Sequence, residues 1–410
     1  MKNIALSILC LASILNSQTG WEGQSSGTNQ VLNAVSAINS DTIFIVGMNG
    51  TILRTTNGGS EWSAQTSPST THLQGVSFYD GVHGLISGND GLILRTTNSG
   101  INWEAVQSNV WVELDDIRYL NASTAVAVGW NGTIVRSEDS GKTWATQNSN
   151  VSLGLVGLDF NDTMIGSAVG WNGTIIHTTN GGVNWTPQAN PLSGTMLDLW
   201  GIVFLSSMNT IVTGENGTIL RTTNGGSDWI SVRSNTMERL WCVDFSDNQI
   251  GFAAGDSVNK GSIVATTDGG TVWNIVSNDT TPTLFGISMS GAQHAYAVGV
   301  SGKIIHTTMG GSTGVNRENH AAVADFALHQ NFPNPFNPAT TIPFTINNPG
   351  HVTLEIIDCL GRVTATLTSA YFAAGKYSME WNPKFVSSGI YYYRLSTNSG
   401  TEVKKLVFIR

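Results

Sequence analysis

Four arginines recur at one position of a repeating pattern, Arg54, Arg95, Arg136 and Arg221, and the same position holds His177, Ala265 and His306 in the other copies. A guanidinium offers five donors in a rigid fork and keeps its charge at any ordinary pH, so equivalent arginines on a ring would form a positive arc for an acidic partner. The same fork serves a structural duty equally well, tying each strand to neighbouring carbonyls or to a turn, and its place in a repeat favours that duty. Trp130 and Trp171 stand just before Asn-Gly pairs in adjacent copies, where they could stack a sugar, pack a partner or fill the space between units. Asp115, Asp116, Asp198 and Asp244 are the acids that could supply the two carboxylates of a glycosidase. Acids at strand ends, however, more commonly cap turns. The chain has no His-Glu-x-x-His, P-loop or Gly-x-Ser-x-Gly elbow, the local motifs of zinc peptidases, nucleotide hydrolases and serine hydrolases. Cys10, Cys242 and Cys359 are far apart and show no zinc-like spacing. No catalytic residue, cofactor or metal is expected.

The elements that must position these residues are written repeatedly. Residues 47–62 return as 88–103, 129–144, 170–185, 214–229 and 255–273, and a seventh copy begins at Gly299 without its tryptophan. The closing tryptophans Trp62, Trp103, Trp144 and Trp185 are 41 residues apart, and Trp229 and Trp273 are 44 apart. Periods of this length with Gly-rich turns and one aromatic per unit indicate a propeller or an array. The first unit predicts four short strands at 32–38, 42–46, 51–56 and 61–65, bounded by turn-forming residues. Asn49-Gly50 predicts a tight hairpin with positive φ at both positions. Four strands per unit match a propeller blade.

Trp21 lies 41 residues before Trp62. The outermost strand of the last blade is therefore expected from residues near 19–26, which closes the ring and removes an open sheet edge. The first strands of the blades line the channel: Leu32-Asn-Ala-Val, Leu73-Gln-Gly-Val, Leu114-Asp-Asp-Ile, Leu155-Val-Gly-Leu, Leu199-Trp-Gly-Ile, Leu240-Trp-Cys-Val and Leu284-Phe-Gly-Ile. That lining is mostly small or apolar.

Thr55-x-Asn57-x-Gly59-x-x-Trp62 resembles the Asp-box of bacterial neuraminidase repeats. Its turn residues recur as Asn98, Asp139, Asn180, Asn224 and Asp268, so Asn replaces Asp in four of six boxes. The longer string Gly-x-x-Gly-x-Ile-x-Arg-Thr-Thr-Asn-Gly-Gly-x-x-Trp is similar to the propellers of photosystem II assembly and stability factors and their non-photosynthetic bacterial relatives. That resemblance implies a propeller over about 19–312. It also implies that the repeat arginines form a patch for partner binding, and that the box residues are structural turns. A sialidase would need an arginine triad on a Phe-Arg-Ile-Pro-type segment, which does not occur here.

Lys2 followed by the short apolar run 4–15 reads as a secretory signal peptide at 1–17, too short to span a bilayer. Charged residues make up only 11% of the chain and the net charge is −9, which argues against nucleic acid and anionic membranes as partners. Residues 313–325 read as a linker. At 326–410 a Pro-rich entrance leads into alternating strands near 352–357, 377–381, 390–395 and 403–409, the pattern of a small antiparallel sandwich of immunoglobulin-like type. Gln330-Asn-Phe-Pro-Asn-Pro-Phe-Asn-Pro338, Ile356-Ile-Asp-x-x-Gly-Arg362, Ser388-Gly-Ile-Tyr-Tyr392 and the terminal Lys404-Lys-Leu-Val-Phe resemble the C-terminal sorting domain of type IX secretion substrates, subtype A. By resemblance such tails engage the secretion machinery, carry the folded passenger across the outer membrane, and are usually cut off.

The expected protein is all-β: a seven-bladed β-propeller and a β-sandwich export domain. Its expected role is a non-enzymatic binding scaffold for a protein or glycan, secreted or at the bacterial surface. A glycoside hydrolase using channel carboxylates is the alternative.

Overall fold

The computed structural model describes residues 20–308 and 326–409, apart from 258–259, 278–281, 348, 359–361, 385 and 398–399. The signal segment 1–17, Cys10, the linker 313–325 and Cys359 lie outside the described residues. The chain divides into two compact units, Met1–Gly314 and Val315–Arg410. Among the described residues no helix is long and apolar enough to cross a membrane.

In the first unit each sequence repeat folds as a four-stranded antiparallel sheet, and there are seven such sheets. The first runs Leu32–Ala37, Ile43–Gly47, Thr51–Thr55 and Ser63–Ala64. The inner strands touch one another in cyclic order, Leu284–Met289 of the last blade meeting Leu32–Ala37 of the first. The second strand is buried along its whole length in six blades, as in Ile43–Gly47, and over Gly251–Gly255 in the sixth blade, because neighbouring blades cover both its faces. The apolar core accordingly sits between blades. Phe44, Val46 and Ile52 of the first pack with Leu73, Val76, Ile86, Leu94 and Trp103 of the second.

The ring is closed by the N-terminus. Glu22–Gln24 pairs antiparallel with the third strand of the last blade, in the register Glu22↔His306, Gly23↔Ile305 and Gln24↔Ile304. Trp21 is buried beside it, edge-on to Phe252 with ring centroids 5.4 Å apart.

The hairpin between second and third strands has three residues rather than two. Met48–Gly50 bridges the Gly47↔Thr51 pair, with φ of 55° at Asn49 and 68° at Gly50. Positive φ at both positions explains the Asn-Gly pair. A Cβ at Gly47 would stand 2.1 Å from the carbonyl oxygen of Val31, so the first glycine of the repeat is demanded by close backbone approach.

The second unit is an antiparallel sandwich of a three-stranded and a four-stranded sheet. Ile342, Phe344 and Ile346 of one sheet and Leu354, Ile356, Tyr393 and Leu395 of the other share one core. The segment resembling a sorting motif is built into it. The Tyr393 hydroxyl accepts the Asn331 N–H at 2.9 Å and donates to the His329 carbonyl at 2.8 Å, while the buried Asn331 amide donates to Thr340 Oγ1 at 2.9 Å.

Candidate functional site

Every inner strand breaks register between its aligned leucine (Leu32, Leu73, Leu114, Leu155, Leu199, Leu240 or Leu284) and the second residue after it. A bulge leaves its extra residue unpaired and re-aims the side chain. Here it places the second residue of each blade in one cavity at the channel mouth: Asn33, Gln74, Asp115, Val156, Trp200, Trp241 and Phe285, around a volume of 140 Å³. Four consecutive blades supply polar or small groups and three supply aromatic rings.

The polar arc is hooked blade to blade. Asn33 Nδ2 donates to Gln74 Oε1 at 3.0 Å, and Gln74 Nε2 donates to Glu113 Oε1 at 2.7 Å. The aromatic arc is contiguous: Trp200 and Trp241 have centroids 4.4 Å apart, and Trp241 and Phe285 5.4 Å. Trp241 Nε1 donates to Asp256 at 3.0 Å, and the Arg239 guanidinium lies 4.7 Å over the Trp241 ring while paired with Glu215. Two buried atoms of this mouth, Trp200 Nε1 and Asp115 Oδ2, have no hydrogen-bond partner among the described residues. Burial, with Glu113 and Asp116 beside it, pushes the Asp115 carboxyl up to about 8. Burial also raises Glu113.

Further along the channel a 420 Å³ chamber is lined by Arg118, Asp159 and Asp244 among others. Arg118 Nη1 bonds Asp116 at 2.8 Å and its Nε lies 3.8 Å from Asp159. Burial raises the carboxyl groups of Asp159 and Asp244 to about 6, against the lowering effects of Arg118 and of backbone N–H donors. Asp116 is raised by burial as well. These acids are engaged: Asp116 accepts the N–H of Leu158 at 3.0 Å, and Asp244 accepts that of Met289 at 2.7 Å. Asp198 is not in either cavity; it caps a turn by accepting the Asn172 N–H at 2.9 Å.

The repeat arginines stand at the opposite end of the blades, near the Asp-boxes. Arg95 Nε donates to the Ser140 carbonyl and Arg136 Nε to the Gly181 carbonyl, each at 2.7 Å and each in the next blade's box. Their side chains are only 10% and 14% exposed, and they pair with Glu104 and Glu138 respectively. Where histidine replaces the arginine, a glutamine of the outer strand takes the equivalent carbonyl. Gln188 Nε2 donates to Gly225 O at 3.3 Å, and Gln24 Nε2 to Gly58 O at 3.1 Å. Those glutamines also accept the indole N–H of Trp229 and Trp62. Arg54 and Arg221 have a buried Nε without a partner among the described residues, and Arg54 lies 5.6 Å over Phe44.

The box turns explain why asparagine serves for aspartate. Asn57 Oδ1 accepts from Thr55 Oγ1 at 2.8 Å and from the Glu61 N–H at 3.0 Å. Asp139 Oδ1 makes the same pair of bonds with Ser137 and Thr143. One acceptor oxygen suffices, and an amide supplies it. Asn98, Asn180, Asn224 and Asp268 repeat the arrangement. The box tryptophans are buried in the seams between blades, as for Trp103, Trp144, Trp185, Trp229 and Trp273. Trp62 is half-buried.

Trp130 and Trp171 meet edge-on, centroids 5.3 Å apart, on the hairpins at the channel-mouth end. Trp130 is 41% exposed, whereas Trp171 is half-buried over Gly154, where an added Cβ would stand 2.9 Å from its ring. Sequence reasoning missed the aromatic arc, Arg118 and Asp159. The signal was present in the second and fifth letters of the aligned inner strands, but it is meaningful only once the bulge is known. Cys242 is a free thiol whose pKa burial drives upward. Among the described residues no group of three or more His, Cys, Asp or Glu could hold a metal ion.

Residues 14–148 match the family described as Photosynthesis system II assembly factor YCF48, and residues 330–409 match the Secretion system C-terminal sorting domain. Among solved structures the chain is similar to YCF48 bound to D1 peptide, at 20% identity and TM-score 0.60 over 71% of this chain and 95% of that one. It is also similar to YCF48 from Cyanidioschyzon merolae, at 20% identity and TM-score 0.58 over 70% of this chain and 98% of that one. The WD40 β-propeller domain of Doa1 follows the same fold at 12% identity and TM-score 0.56, over 70% of this chain and 96% of that one. No curated protein matches the chain. The chain thus joins a YCF48-like propeller to a C-terminal sorting domain.

Proposed function

We propose that the chain is an exported, non-enzymatic binding module. The observation that carries this reading is one juxtaposition: a closed propeller with an aromatic and polar mouth, followed by a segment matching a secretion sorting domain. In this reading 1–17 directs export to the periplasm, 18–312 is the propeller, 313–325 a linker, and 326–410 engages type IX secretion machinery. The product is then a secreted or outer-membrane surface protein of a bacterium. The similar structure of YCF48 with a bound D1 peptide makes a polypeptide the favoured partner on the propeller. A photosystem role does not transfer with the fold, because one fold hosts many functions. A glycosidase needs a pair of available carboxylates, whereas Asp116, Asp159 and Asp244 are engaged by backbone N–H donors of neighbouring blades, which leaves Asp115 of the nominated channel acids. Two measurements test the proposal. Removing 326–410 is expected to leave the protein in the periplasm, and normal levels outside the cell would defeat the export reading. Sialosides and β-glucans are expected to pass unchanged, and turnover of either would defeat the non-enzymatic one.

A further inference from the structure

We propose that the channel mouth receives a lysine or arginine side chain from an extended segment of a partner polypeptide, between Asp115 on one side and Trp200, Trp241 and Phe285 on the other. This rests on the reading of the propeller as a binding module and adds the chemistry of what it binds.

Charge is the first argument. Glu113, Asp115 and Asp116 crowd one strand start, and of the three only Asp116 is bonded to an arginine, Arg118. The one arginine at the aromatic side, Arg239, is already paired with Glu215. The mouth therefore carries uncompensated acid and suits a cation. Aromatic faces add to that preference, since they attract cations and cover the methylene stem of a long side chain. Arg239 over Trp241 demonstrates the contact within the protein itself.

The second argument is the sense of the unmet hydrogen bonds. Trp200 Nε1 can only donate, and an ionised Asp115 Oδ2 can only accept. A bare ammonium would meet Asp115 and leave Trp200 unmet. A sugar hydroxyl would meet both and leave the acid uncompensated. A basic residue within a peptide meets all three demands, its cation on Asp115 and a main-chain carbonyl on Trp200. The cavity of 140 Å³ has room for one side chain. Around it, on loops leading into the inner strands, Trp111, Met196 and Met237 are 82%, 92% and 79% exposed and offer apolar footing for flanking residues.

Protonation gives a signature. Asp115 in the mouth titrates near 8, with Glu113 and Asp116 facing it, Arg118 bonded to Asp116, and His72 and Asp90 near Glu113. A cation favours the ionised carboxylate, so binding must expel the proton below that pH. Affinity for a basic peptide should then rise as pH rises toward about 8, by up to roughly tenfold per unit where proton release is complete.

The experiment uses the full chain and capped Gly/Ser pentapeptides carrying one central Lys, Arg or Gln, titrated by tryptophan fluorescence between about pH 6 and about pH 9. Lys and Arg peptides are expected to bind about tenfold or more tighter than the Gln peptide, the scale of one desolvated charged contact. Asp115→Asn, with an unchanged melt, should abolish both the preference and the pH dependence. Trp200→Phe should weaken the Lys and Arg peptides several-fold with the preference kept. If Asp115→Asn does not fold, Glu113→Gln replaces it and should reduce the preference. Equal binding of the Gln peptide, preference surviving Asp115→Asn, or binding of monosaccharides but no basic peptide would overturn the proposal. Should basic peptides fail while a partner is still captured by the exported propeller, this inference falls and the binding-module reading stands.

Discussion

The carboxylate of Asp159 accepts the backbone N–H of Phe204 at 2.7 Å, across the seam between the fourth and fifth blades. The same bond recurs from the equivalent residue of three other inner strands. Asp244 takes the N–H of Met289, Ser77 that of Tyr119 and Ser288 that of Ala37, at 2.7–3.1 Å. In the third blade that residue is Arg118, which cannot accept, and Asp116 takes over by bonding the Leu158 N–H instead.

The seam acids set a pH dependence. Asp159 and Asp244 titrate near 6 in the folded chain, above the ordinary carboxylate value of about 4 in an unfolded one. Between those values the folded state holds more protons, so the contribution of these two acids to stability falls as pH rises from about 4 through about 6, and Asp115, raised to about 8, extends the same trend upward. Asp139, lowered to about 2, acts in the opposite sense in more acidic solution, and His306, lowered to about 4 by burial and by His294, with His177, lowered by burial, does so between about pH 4 and about pH 6.5. Urea midpoints of the parent and of a variant lacking both acids, at about pH 5 and about pH 7, isolate their contribution. Asp159→Asn with Asp244→Asn, which keeps an acceptor and removes the charge, should raise the midpoint at about pH 7 relative to that at about pH 5 when compared with the parent. A double variant that keeps the parental change in midpoint between the two pH values would contradict the assignment.

At the other end of the blades, Arg95→Gln and Arg136→Gln each remove a buried charge-assisted bond to the next blade. Each should cost about 1.5–3 kcal/mol. Gln188→Ala removes the equivalent bond in a blade that lacks the arginine, and should cost about 1 kcal/mol. Arg54→Gln and Arg221→Gln, whose Nε atoms make no such bond, should cost less than either. Denaturant melts of the five single variants check the order, and equal losses at all four arginines would undo it.

Trp21→Ala empties a seam position packed against Phe252 and is expected to destabilise by about 3–5 kcal/mol. Deleting 20–26 removes the pairing strand as well, exposing the Ile304–Thr307 edge. A lower melt together with dimers in size-exclusion chromatography is the expected result. A monomer with the parental melt would show that the strand is dispensable.

Tyr393→Phe leaves the buried Asn331 N–H and the His329 carbonyl without their shared hydroxyl. The loss should be about 1–3 kcal/mol. The unfolding transition of the isolated second unit would report it directly.

Much of this was readable beforehand, and the limits are physical. The period announced the blades, and Trp21 announced the closing strand, because a seam needs its tryptophan wherever the chain supplies it. The mouth was hidden because a bulge has no letter of its own. Leu199-Trp-Gly reads as a continuous strand until pairing shows that Trp200 is the extra residue. The role of Gln188 was equally invisible, since it answers a histidine in a different strand. In the second unit, Val363–Phe372 escaped notice because its Thr-rich, mostly exposed faces lack apolar alternation. Thr340–Ile346 was masked by Pro343, which belongs to the strand itself.

The pairing of Glu22 with His306 also imposes an order of events. The residues of the ring that are made first are partners of nearly the last. Until those arrive, the opening segment has nothing native to bind. Blades one to six can stack as neighbours appear, but the seventh waits on both ends of the unit at once. Long-range closure of this kind is slow. The interval before it is when the two open edges are most exposed to the wrong chain, so dilution and a compartment that retains the chain until the ring is whole favour the correct product.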